Sequence, residues 1–350
     1  MLNIEGIYVE TTTECNLRCK HCYNDSGAKK NCLTINNVRT ILEYAHAHEL
    51  QQISLSGGEP LLHPYIVEII AMITREYGMK VTIVSNIMAV NQDFLDRVRN
   101  ECDIQNVIFQ VSADGCNEQE HDFIRGIGSF KKMLQALHML RRNNVSYYFH
   151  TMIHQENYNN LSKMIEFAIA NQSERLEFTF LKKKGRGELN YNDIALPAKL
   201  QIDVIDQLEN YKECYKDRIN LSAPSTFFGI CPFISDDDEF DIFLRIDPRG
   251  NAFTCQNMTL DELSIGNIND TAMEELVSLE TMFNLRSKLK RIMQEKAKCN
   301  NCLVSFNCGG GCPGVECMDN FEHYSDECEE RRLMYKERLS SFINNCSRKT

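Results

Sequence analysis

The sequence of 350 residues contains no long hydrophobic run and no excess of basic residues. Its most apolar stretch, residues 66–73, includes Glu68 and is much shorter than the roughly 18 apolar residues that a membrane-spanning helix requires. The N-terminus has an early glutamate and no basic segment, so we predict no signal peptide. Lys and Arg total 38 against 49 Asp and Glu, a net charge of −11, which disfavours binding to nucleic-acid phosphates. We therefore expect a cytoplasmic protein that binds neither membranes nor nucleic acids.

Cysteine, by contrast, is abundant, with 16 residues in the chain. Three of them lie within residues 15–22 and six within residues 299–328. In a reducing compartment, clustered thiols are more typical of metal ligands or catalysts than of disulfides. The hydrophobic content of 43% is ordinary for a folded protein. The sequence therefore predicts a folded protein with a metal site towards each end of the chain.

Strand and helix signals alternate along the first 180 or so residues. The patterns predict strands at 4–10, 52–56, 80–85, 106–113, 146–153 and 175–181, with helices at 34–48, 64–77, 92–100, 129–142 and 161–170. Thr34 is the expected N-cap of the first helix. This alternation predicts an α/β fold with a parallel sheet covered by helices. Six βα units favour a partial (β/α)6 TIM barrel, with its chemistry at the C-terminal ends of the strands.

The pattern changes after Leu196 and Pro197. A helix over 198–213 is followed by an irregular stretch, a hairpin with its turn at 248–251, and helices over 270–296 and 326–345. We therefore predict a barrel domain over 1–213 and a small α+β domain over 214–350.

The first cysteine cluster has the spacing CxxxCxxC, formed by Cys15, Cys19 and Cys22 in the loop after the first predicted strand. Three thiolates on a four-iron cluster leave one iron without a protein ligand. An open metal position is where a small molecule can bind. Structural zinc is the alternative, but its fourth ligand is hard to place because His21, next to Cys22, would point elsewhere.

The segment ECNLRCKHCYN resembles the signature of the radical S-adenosylmethionine (SAM) enzymes, and later strand ends resemble that family too. GGEP at 57–60 resembles the motif that accepts hydrogen bonds from the SAM amino group. The SN pair at 85–86 resembles the family's TN, and the SADG and HDFIRG stretches resemble the segments whose Ser and Arg hold the SAM carboxylate. His21 stands where the family often has an aromatic residue along the adenine. The resemblance thus implies these SAM contacts: His21, Gly57, Gly58, Glu59, Pro60, Ser85, Asn86, Ser112 and Arg125.

The resemblance also implies a reaction. One electron from the cluster cleaves SAM into methionine and a 5′-deoxyadenosyl radical, which abstracts a hydrogen atom from an unactivated C–H bond. A flavodoxin or ferredoxin-type reductant would supply the electron. The protein would contribute orientation and exclusion of competing hydrogen donors.

The C-terminal cysteines are similar to the seven-cysteine pattern of the SPASM domain, which carries auxiliary [4Fe-4S] clusters. The pattern combines CX2CX5CX3C at 299–312, GX4C at 250–255, and two single cysteines. The resemblance implies three [4Fe-4S] clusters in all. The distal auxiliary cluster would be held by Cys299, Cys302, Cys308 and Cys328. The cluster nearer the barrel would be held by Cys231, Cys255 and Cys312.

The fourth ligand of that nearer cluster stays open at this point. An open iron, Cys317 and an Asp within 236–238 are the alternatives. Structural zinc in this region is disfavoured because zinc ribbons prefer two CxxC pairs much farther apart. Lys182–Lys184 with the following GRG either line the barrel mouth or form a plain surface turn.

Relatives with this extension mostly modify peptides or proteins. We therefore expect a maturase of ribosomally made, post-translationally modified peptides (RiPPs) that forms a thioether or carbon–carbon crosslink. Peptide epimerisation, with Cys214 or Cys231 as hydrogen donor, and small-molecule chemistry such as tetrapyrrole side-chain modification remain alternatives. Sulfatase maturation uses an Asp after the GX4C cysteine, and Gln256 stands there instead.

The first strand begins near Ile4, which leaves no room before it for a leader-recognition domain. Either a separate protein recognises the leader of the precursor peptide, or the barrel and the auxiliary domain bind the substrate directly. The pattern identifies no catalytic side chain. A non-enzymatic iron–sulfur or zinc sensor is disfavoured, because a sensor needs neither GGEP nor the pair of Ser112 and Arg125.

Overall fold

One sheet of ten strands runs through the described part of the chain in the computed structural model. The structure describes residues 1–27, 30–224, 231–234, 239–294, 299–316, 328, 331–337 and 339. The strands are β1 (Leu2–Thr12), β2 (Gln52–Gly57), β3 (Lys80–Ser85), β4 (Val107–Ser112), β5 (Ser146–Ile153), β6 (Arg175–Phe180), β7 (Asn220–Ser222), β8 (Phe240–Ile246), β9 (Asn251–Phe253) and β10 (Gly266–Asn267). Their order is β10-β9-β8-β1-β2-β3-β4-β5-β6-β7. Pairing is parallel from β8 to β7 and antiparallel in the β8–β9–β10 part.

Helices lie between successive strands from β1 to β7 and pack against the sheet, and further helices follow β10. They are α1 (Ile35–Ala47), α2 (Ile66–Ala71), α3 (Gln92–Glu101), α4 (Glu118–Arg125), α5 (Ser129–Arg142), α6 (Leu161–Ala170), α7 (Arg186–Leu189), α8 (Tyr191–Ile194), α9 (Ala198–Tyr215), α10 (Met273–Leu276), α11 (Leu279–Gln294), α12 (Ser305–Cys308) and α13 (Pro313–Glu316). The predicted α/β fold with a parallel sheet is therefore confirmed. No helix of the described residues is both long and apolar enough to cross a membrane.

Local sequence explains where these helices start and stop. Thr34 caps α1 as predicted, and its hydroxyl and the Asn37 side chain form a reciprocal capping box. The predicted helix over 64–77 is shorter: α2 ends at Ala71 and the last turn is a π-helix over Met72–Glu76. There the Thr74 hydroxyl donates to the Ile70 carbonyl at 2.8 Å, a back-bond that disturbs regular helix geometry.

Two further differences have local causes. The pattern over 270–296 forms two helices, because the Ser278 hydroxyl accepts the Thr281 N–H at 3.3 Å and starts α11 afresh. Helix α4 was not predicted; Asn117 caps it, and Gly126 at φ +101° ends it. Of the terminal helix predicted at 326–345, residues 328, 331–337 and 339 are described and helical, and the others lie outside the described residues. Most of the acidic run at 235–241 lies outside them as well.

Residues alternate along the strands between a hydrophobic and a polar face. Ile53, Leu55 and Phe109 belong to the buried core that the strands share with the helices. The positions between them point to the opposite face, and they include polar residues such as Ser54 and Gln110. The inner face of the barrel is therefore polar, although the strands are buried.

The sheet continues across the predicted domain boundary at 213/214. Strand β7 pairs with β6, and β8 lies parallel to β1 from Leu2↔Phe240 to Val9↔Ile246. The predicted β8–β9 hairpin is confirmed, and Gly250 turns it at φ +90°. Strand β1 thus sits between the barrel strands and the hairpin that precedes Cys255. The division at 213/214 stays a prediction.

Candidate functional site

The three cysteines of the first cluster lie in the loop that leaves β1. The Leu17 N–H donates to the Cys15 sulfur at 3.4 Å, and Arg125 Nη1 donates to the Cys19 sulfur at 3.9 Å. Burial raises the pKa of the Cys15 thiol to about 11. Buried thiolates need a positive partner, which a metal centre supplies. The donors and the burial together fit an iron–sulfur cluster at this loop.

The segment after β6 holds this loop from the other side. The Arg186 N–H donates to the Cys22 carbonyl and its Nε to the Cys19 carbonyl, both at 2.9 Å. Gly185 adopts φ +55° there, and a Cβ on it would lie 2.6 Å from the Cys22 carbonyl oxygen. Only glycine permits this approach, so the loop is clamped by backbone contact.

The GGEP turn packs directly against the cysteine loop. The Gly58 N–H donates to the Thr12 carbonyl at 2.6 Å, and the Glu59 N–H donates to the Glu14 carbonyl at 2.8 Å. Gly57 has φ +132°, and a Cβ there would lie 2.3 Å from the Thr12 oxygen. Both glycines are therefore needed for the turn to reach the loop.

Glu59 joins this turn to the end of β3. Its carboxylate accepts the Ser85 hydroxyl at 2.6 Å and the Asn86 N–H at 2.9 Å. Burial raises the pKa of Glu59 to about 7. The Asn86 amide in turn donates to Asn16 of the cysteine loop at 2.8 Å. Three of the predicted SAM contacts thus lie together beside the predicted cluster.

Arg125 forms a buried ion pair that sequence analysis missed. Its Nε donates to Asp114 at 2.7 Å, and Asp114 is fully buried. Burial alone would raise the pKa of Asp114, but the guanidinium of Arg125 holds it well below its usual range. Asp114 also accepts the Met152 N–H at 2.8 Å. The SADG motif contained the signal, since its Asp stands two residues after the end of β4.

Ser112 is a predicted SAM contact that the structure does not join to Arg125. It ends β4, in register with His150 of β5. Within the described part of the chain, no hydrogen bond joins Ser112 to Arg125. Their pairing around one carboxylate therefore stays a prediction.

His21 belongs to the cysteine loop and lies near Asp114. Burial lowers the pKa of His21 to about 3, so its ring is neutral. Its buried Nδ1 has no hydrogen-bond partner among the described residues and lies 4.0 Å from the Asp114 carboxylate. A neutral ring is suited to stacking on a base, and the contact of His21 with adenine stays a prediction.

Three cysteines of the C-terminal half come together from separate segments. Burial raises the pKa of Cys231 to about 11, and the neighbouring Cys312 and Cys255 raise it further. The Asn257 N–H donates to the Cys255 sulfur at 3.4 Å, and the Asn257 amide donates to the Cys312 sulfur at 3.9 Å. The second predicted set of ligands therefore also receives N–H donors at its sulfurs.

The remaining predicted ligands are only partly described. Arg332 Nε donates to the Cys302 sulfur at 3.4 Å, and a Cβ on Gly310, at φ +84°, would lie 3.8 Å from the Cys299 sulfur. Cys308 ends α12, and Cys328 is described between undescribed neighbours. Cys317 and residues 236–238, the candidate fourth ligands, lie outside the described residues.

The described thiols are not spaced for a single ion. No group of three or more His, Cys, Asp or Glu side chains among them could hold one metal ion. Zinc needs its thiolates at about 2.3 Å from one centre, whereas a four-iron cluster takes each thiolate on a different iron.

The inner face of the barrel carries polar side chains bonded to one another. Tyr148 donates to Gln110 at 2.8 Å, and the Arg175 guanidinium stacks 3.6 Å from the centre of the Tyr148 ring. Near β1, Arg245 donates to both oxygens of Glu10, at 2.9 and 2.7 Å. Such a surface can hydrogen-bond to a polar substrate.

A cavity of about 330 Å³ opens between the cysteine loop and the β8–β9 hairpin. Glu10, Tyr23, Gly185, Arg245 and Asp247 are among its lining residues. It therefore connects the first cysteine loop with the part of the chain that leads to Cys255.

Part of the chain matches the model of a known protein family. Residues 9–168 match the model of the radical SAM superfamily. The match includes the cysteine loop, the GGEP turn, Ser85, Asn86 and the Asp114–Arg125 pair.

Relatives and solved structures extend the likeness to most of the chain. The AdoMet-dependent heme synthase of Methanosarcina barkeri is 24% identical over 323 residues, covering 86% of this chain and 89% of that protein. The mycofactocin maturase MftC of Mycobacterium tuberculosis is 24% identical over 316 residues, covering 87% and 76%. The structure of Streptococcus suis SuiB bound to S-adenosylmethionine matches with a TM-score of 0.70 at 14% identity, over 93% of this chain and 76% of that one. The chain thus shares its fold with SuiB.

Proposed function

Because the chain contains a radical SAM domain at residues 9–168, we propose that it is a radical SAM peptide maturase. Its reaction would abstract a hydrogen atom from a residue of a ribosomal precursor peptide and lead to a thioether or carbon–carbon crosslink. The observation that carries the proposal is that residues 182–187 contact both cysteine sets. Arg186 bonds to the carbonyls of Cys19 and Cys22, and Lys182 bonds to Asn257, which in turn bonds to Cys255 and Cys312.

Cys15, Cys19 and Cys22 would hold one [4Fe-4S] cluster, and SAM bound there supplies a 5′-deoxyadenosyl radical when reduced. The chain's own residues would place SAM. Glu59 would accept from its ammonium group, Arg125 would donate to its carboxylate through the N–H groups that Asp114 leaves free, and His21 would lie along its adenine. Gly57, Gly58 and Pro60 shape the turn, and Ser85, Asn86 and Ser112 would line the remaining contacts.

Two auxiliary [4Fe-4S] clusters complete the proposal. Cys299, Cys302, Cys308 and Cys328 would hold the distal one, and Cys231, Cys255 and Cys312 the nearer one, whose fourth ligand stays open. An oxidative crosslink removes two hydrogens from the peptide, one as an atom and one as a proton with an electron. The nearer cluster would accept that electron, and its proximity to the segment that contacts the first loop supports this role.

A peptide substrate is supported by two independent lines. MftC is named as a maturase, and SuiB has been solved with its precursor peptide SuiA. The polar inner face and the 330 Å³ cavity beside it offer hydrogen-bonding groups to a peptide backbone. A separate leader-recognition protein and a flavodoxin or ferredoxin-type reductant would be its partners.

The second candidate is a reaction on a small molecule, a tetrapyrrole. The observation that favours it is the match to the heme synthase over 86% of this chain. The inner face of the barrel holds the side chains that either substrate would meet.

The experiment compares both substrates with one protein. Anaerobically reconstituted enzyme receives SAM and dithionite with either peptides encoded by short reading frames beside its gene or a tetrapyrrole bearing propionate side chains. The maturase proposal expects substrate-dependent 5′-deoxyadenosine and a peptide lighter by two hydrogens. Solvent deuterium in the peptide at unchanged hydrogen count indicates epimerisation instead. Conversion of the tetrapyrrole alone would overturn the peptide proposal.

A further inference from the structure

The segment of residues 182–187, KKKGRG, links the two cysteine sets. Its C-terminal half clamps the first loop through Gly185 and Arg186, as described above. Its N-terminal half reaches the second set. Lys182 Nζ donates to the side-chain oxygen of Asn257 at 2.5 Å, and Lys184 Nζ donates to the backbone carbonyl of the same residue.

Lys184 is the unusual member of this segment, since only 1% of it is exposed. Burial of an ammonium group is costly unless negative charge compensates it. Burial lowers the pKa of Lys184 to about 8, and the nearby thiols of Cys312 and Cys255 act in the opposite direction when they are ionised. A buried lysine at this place is therefore explained by negative charge on those sulfurs.

Asn257 connects the two ammonium groups to the sulfurs. Its side-chain oxygen and its backbone carbonyl accept from the two lysines. Its backbone N–H donates to the Cys255 sulfur, and its side-chain amide donates to the Cys312 sulfur. A Cβ on Gly314 would lie 2.5 Å from the Asn257 oxygen, so the chain after Cys312 packs against it. Hydrogen bonds through Asn257 thereby connect two positively charged lysines to two proposed cluster ligands.

We infer that Lys182 and Lys184, acting through Asn257, are positioning residues that raise the reduction potential of the cluster proposed at Cys231, Cys255 and Cys312. The inference rests on the proposed function. In the proposed crosslinking, the peptide radical is oxidised by one electron, its proton leaves to water, and the cluster is reduced. Two ammonium groups beside the thiolates favour the state with the extra electron, because opposite charges attract strongly where water is excluded.

The test is a potentiometric titration of the reconstituted full-length protein, followed by EPR. The signal lost in the Cys255→Ala variant identifies the cluster in question. Lys182→Met and Lys184→Met each remove one charge, and Lys184→Arg retains it. Lys183→Met is the matched control, because the Lys183 ammonium lies over the Tyr191 ring at 5.5 Å.

Each Met variant is expected to lower the ratio of reduced to oxidised cluster about tenfold at a fixed solution potential, which is ~59 mV for a one-electron couple. Asn257→Asp, which puts negative charge at the same place, should lower it as well. Lys184→Arg and Lys183→Met should stay near the native value.

Unchanged potentials in the Lys182 and Lys184 variants, with iron content retained, would overturn the inference. If Lys184→Met loses iron, the reduction potential of the Lys182→Met variant tests the inference alone, and an unchanged value would overturn it. A native protein that holds iron only at the first loop would overturn the proposed auxiliary cluster as well, and the iron count separates that result from a failure of the lysines alone.

Discussion

The two cysteine sets of this protein are built in different ways. Cys15, Cys19 and Cys22 belong to one loop, and their surroundings come from the strand ends next to it. Cys231, Cys255 and Cys312 belong to three separate segments that lie close together. Asn257, which residues 182–187 contact, bonds to Cys255 and Cys312. The first set is therefore a local motif on a rigid sheet edge, whereas the second exists only when distant segments pack. The predictions below test this difference.

The largest effect is expected at the first set. Cys19→Ala removes one of the three proposed cluster ligands and should abolish SAM cleavage, with the loss of about four irons per chain. Cys102→Ala is the matched control, since Cys102 is also a buried cysteine but lies outside the motifs. Iron analysis and 5′-deoxyadenosine detection measure the outcome. Cleavage of SAM at the native rate by Cys19→Ala would contradict the assignment of the loop.

At the second set, the expected loss is confined to product formation. Cys255→Ala should lose the nearer auxiliary cluster and the crosslinked peptide, while SAM cleavage continues. Peptide mass spectrometry and 5′-deoxyadenosine detection on the same sample separate the two steps. If this variant also fails to cleave SAM while it keeps the first cluster, the two sets do not act independently.

A third prediction concerns the buried pair that supports the first site. Asp114→Asn leaves Arg125 buried without its charged partner, which should cost about 3–5 kcal/mol in the free energy of unfolding. Urea unfolding of the apo protein measures it. Glu101→Gln breaks the exposed pair of Glu101 with Arg97 and should have no comparable effect. Equal stability losses in the two variants would show that burial of the Asp114 pair has no special role.

The smallest effect is a pH dependence carried by Glu59. Burial raises the pKa of Glu59 to about 7, above its unfolded value near 4.3. The folded state then keeps a proton that the unfolded state has lost, so stability should fall as pH rises from about 4.5 to about 7. The shift corresponds to about 3 kcal/mol over that window.

Glu59→Gln has no ionisable carboxyl group at this position. Its free energy of unfolding should therefore lack this part of the decline with rising pH. Urea unfolding of the apo proteins between pH 4.5 and 8 gives the two curves. Parallel curves for the native protein and Glu59→Gln would contradict a raised pKa at this site.

Much of the barrel was predictable because periodicity records which face of an element is buried. The helices at 129–142 and 161–170 and the strands at 80–85 and 146–153 have the bounds that the patterns predicted. Helix α4 was not predicted because it is short and polar. Its signal in the sequence is the N-cap at Asn117 and the glycine at 126 that ends it, rather than a hydrophobic stripe.

The pairing of β8 with β1 had no signal in the sequence. Parallel pairing depends on which strands lie side by side, and nothing local to residues 240–246 states that β1 is the neighbour. The same holds for residues 182–187, where the sequence left a surface turn and the barrel mouth equally open. The contacts of these residues with Cys22 and Asn257 exclude a plain surface turn. Both partners are far away in the chain.

The sequence by itself determined the βα alternation, the CxxxCxxC loop, the GGEP turn and the spacing of the C-terminal cysteines, since each depends on residues close together in the chain. Only the tertiary structure decided that Asp114 neutralises Arg125, that Lys184 is buried, and that Asn257 bonds to two cysteines. The physical reason is that burial and charge pairing depend on which distant segments exclude water from one another.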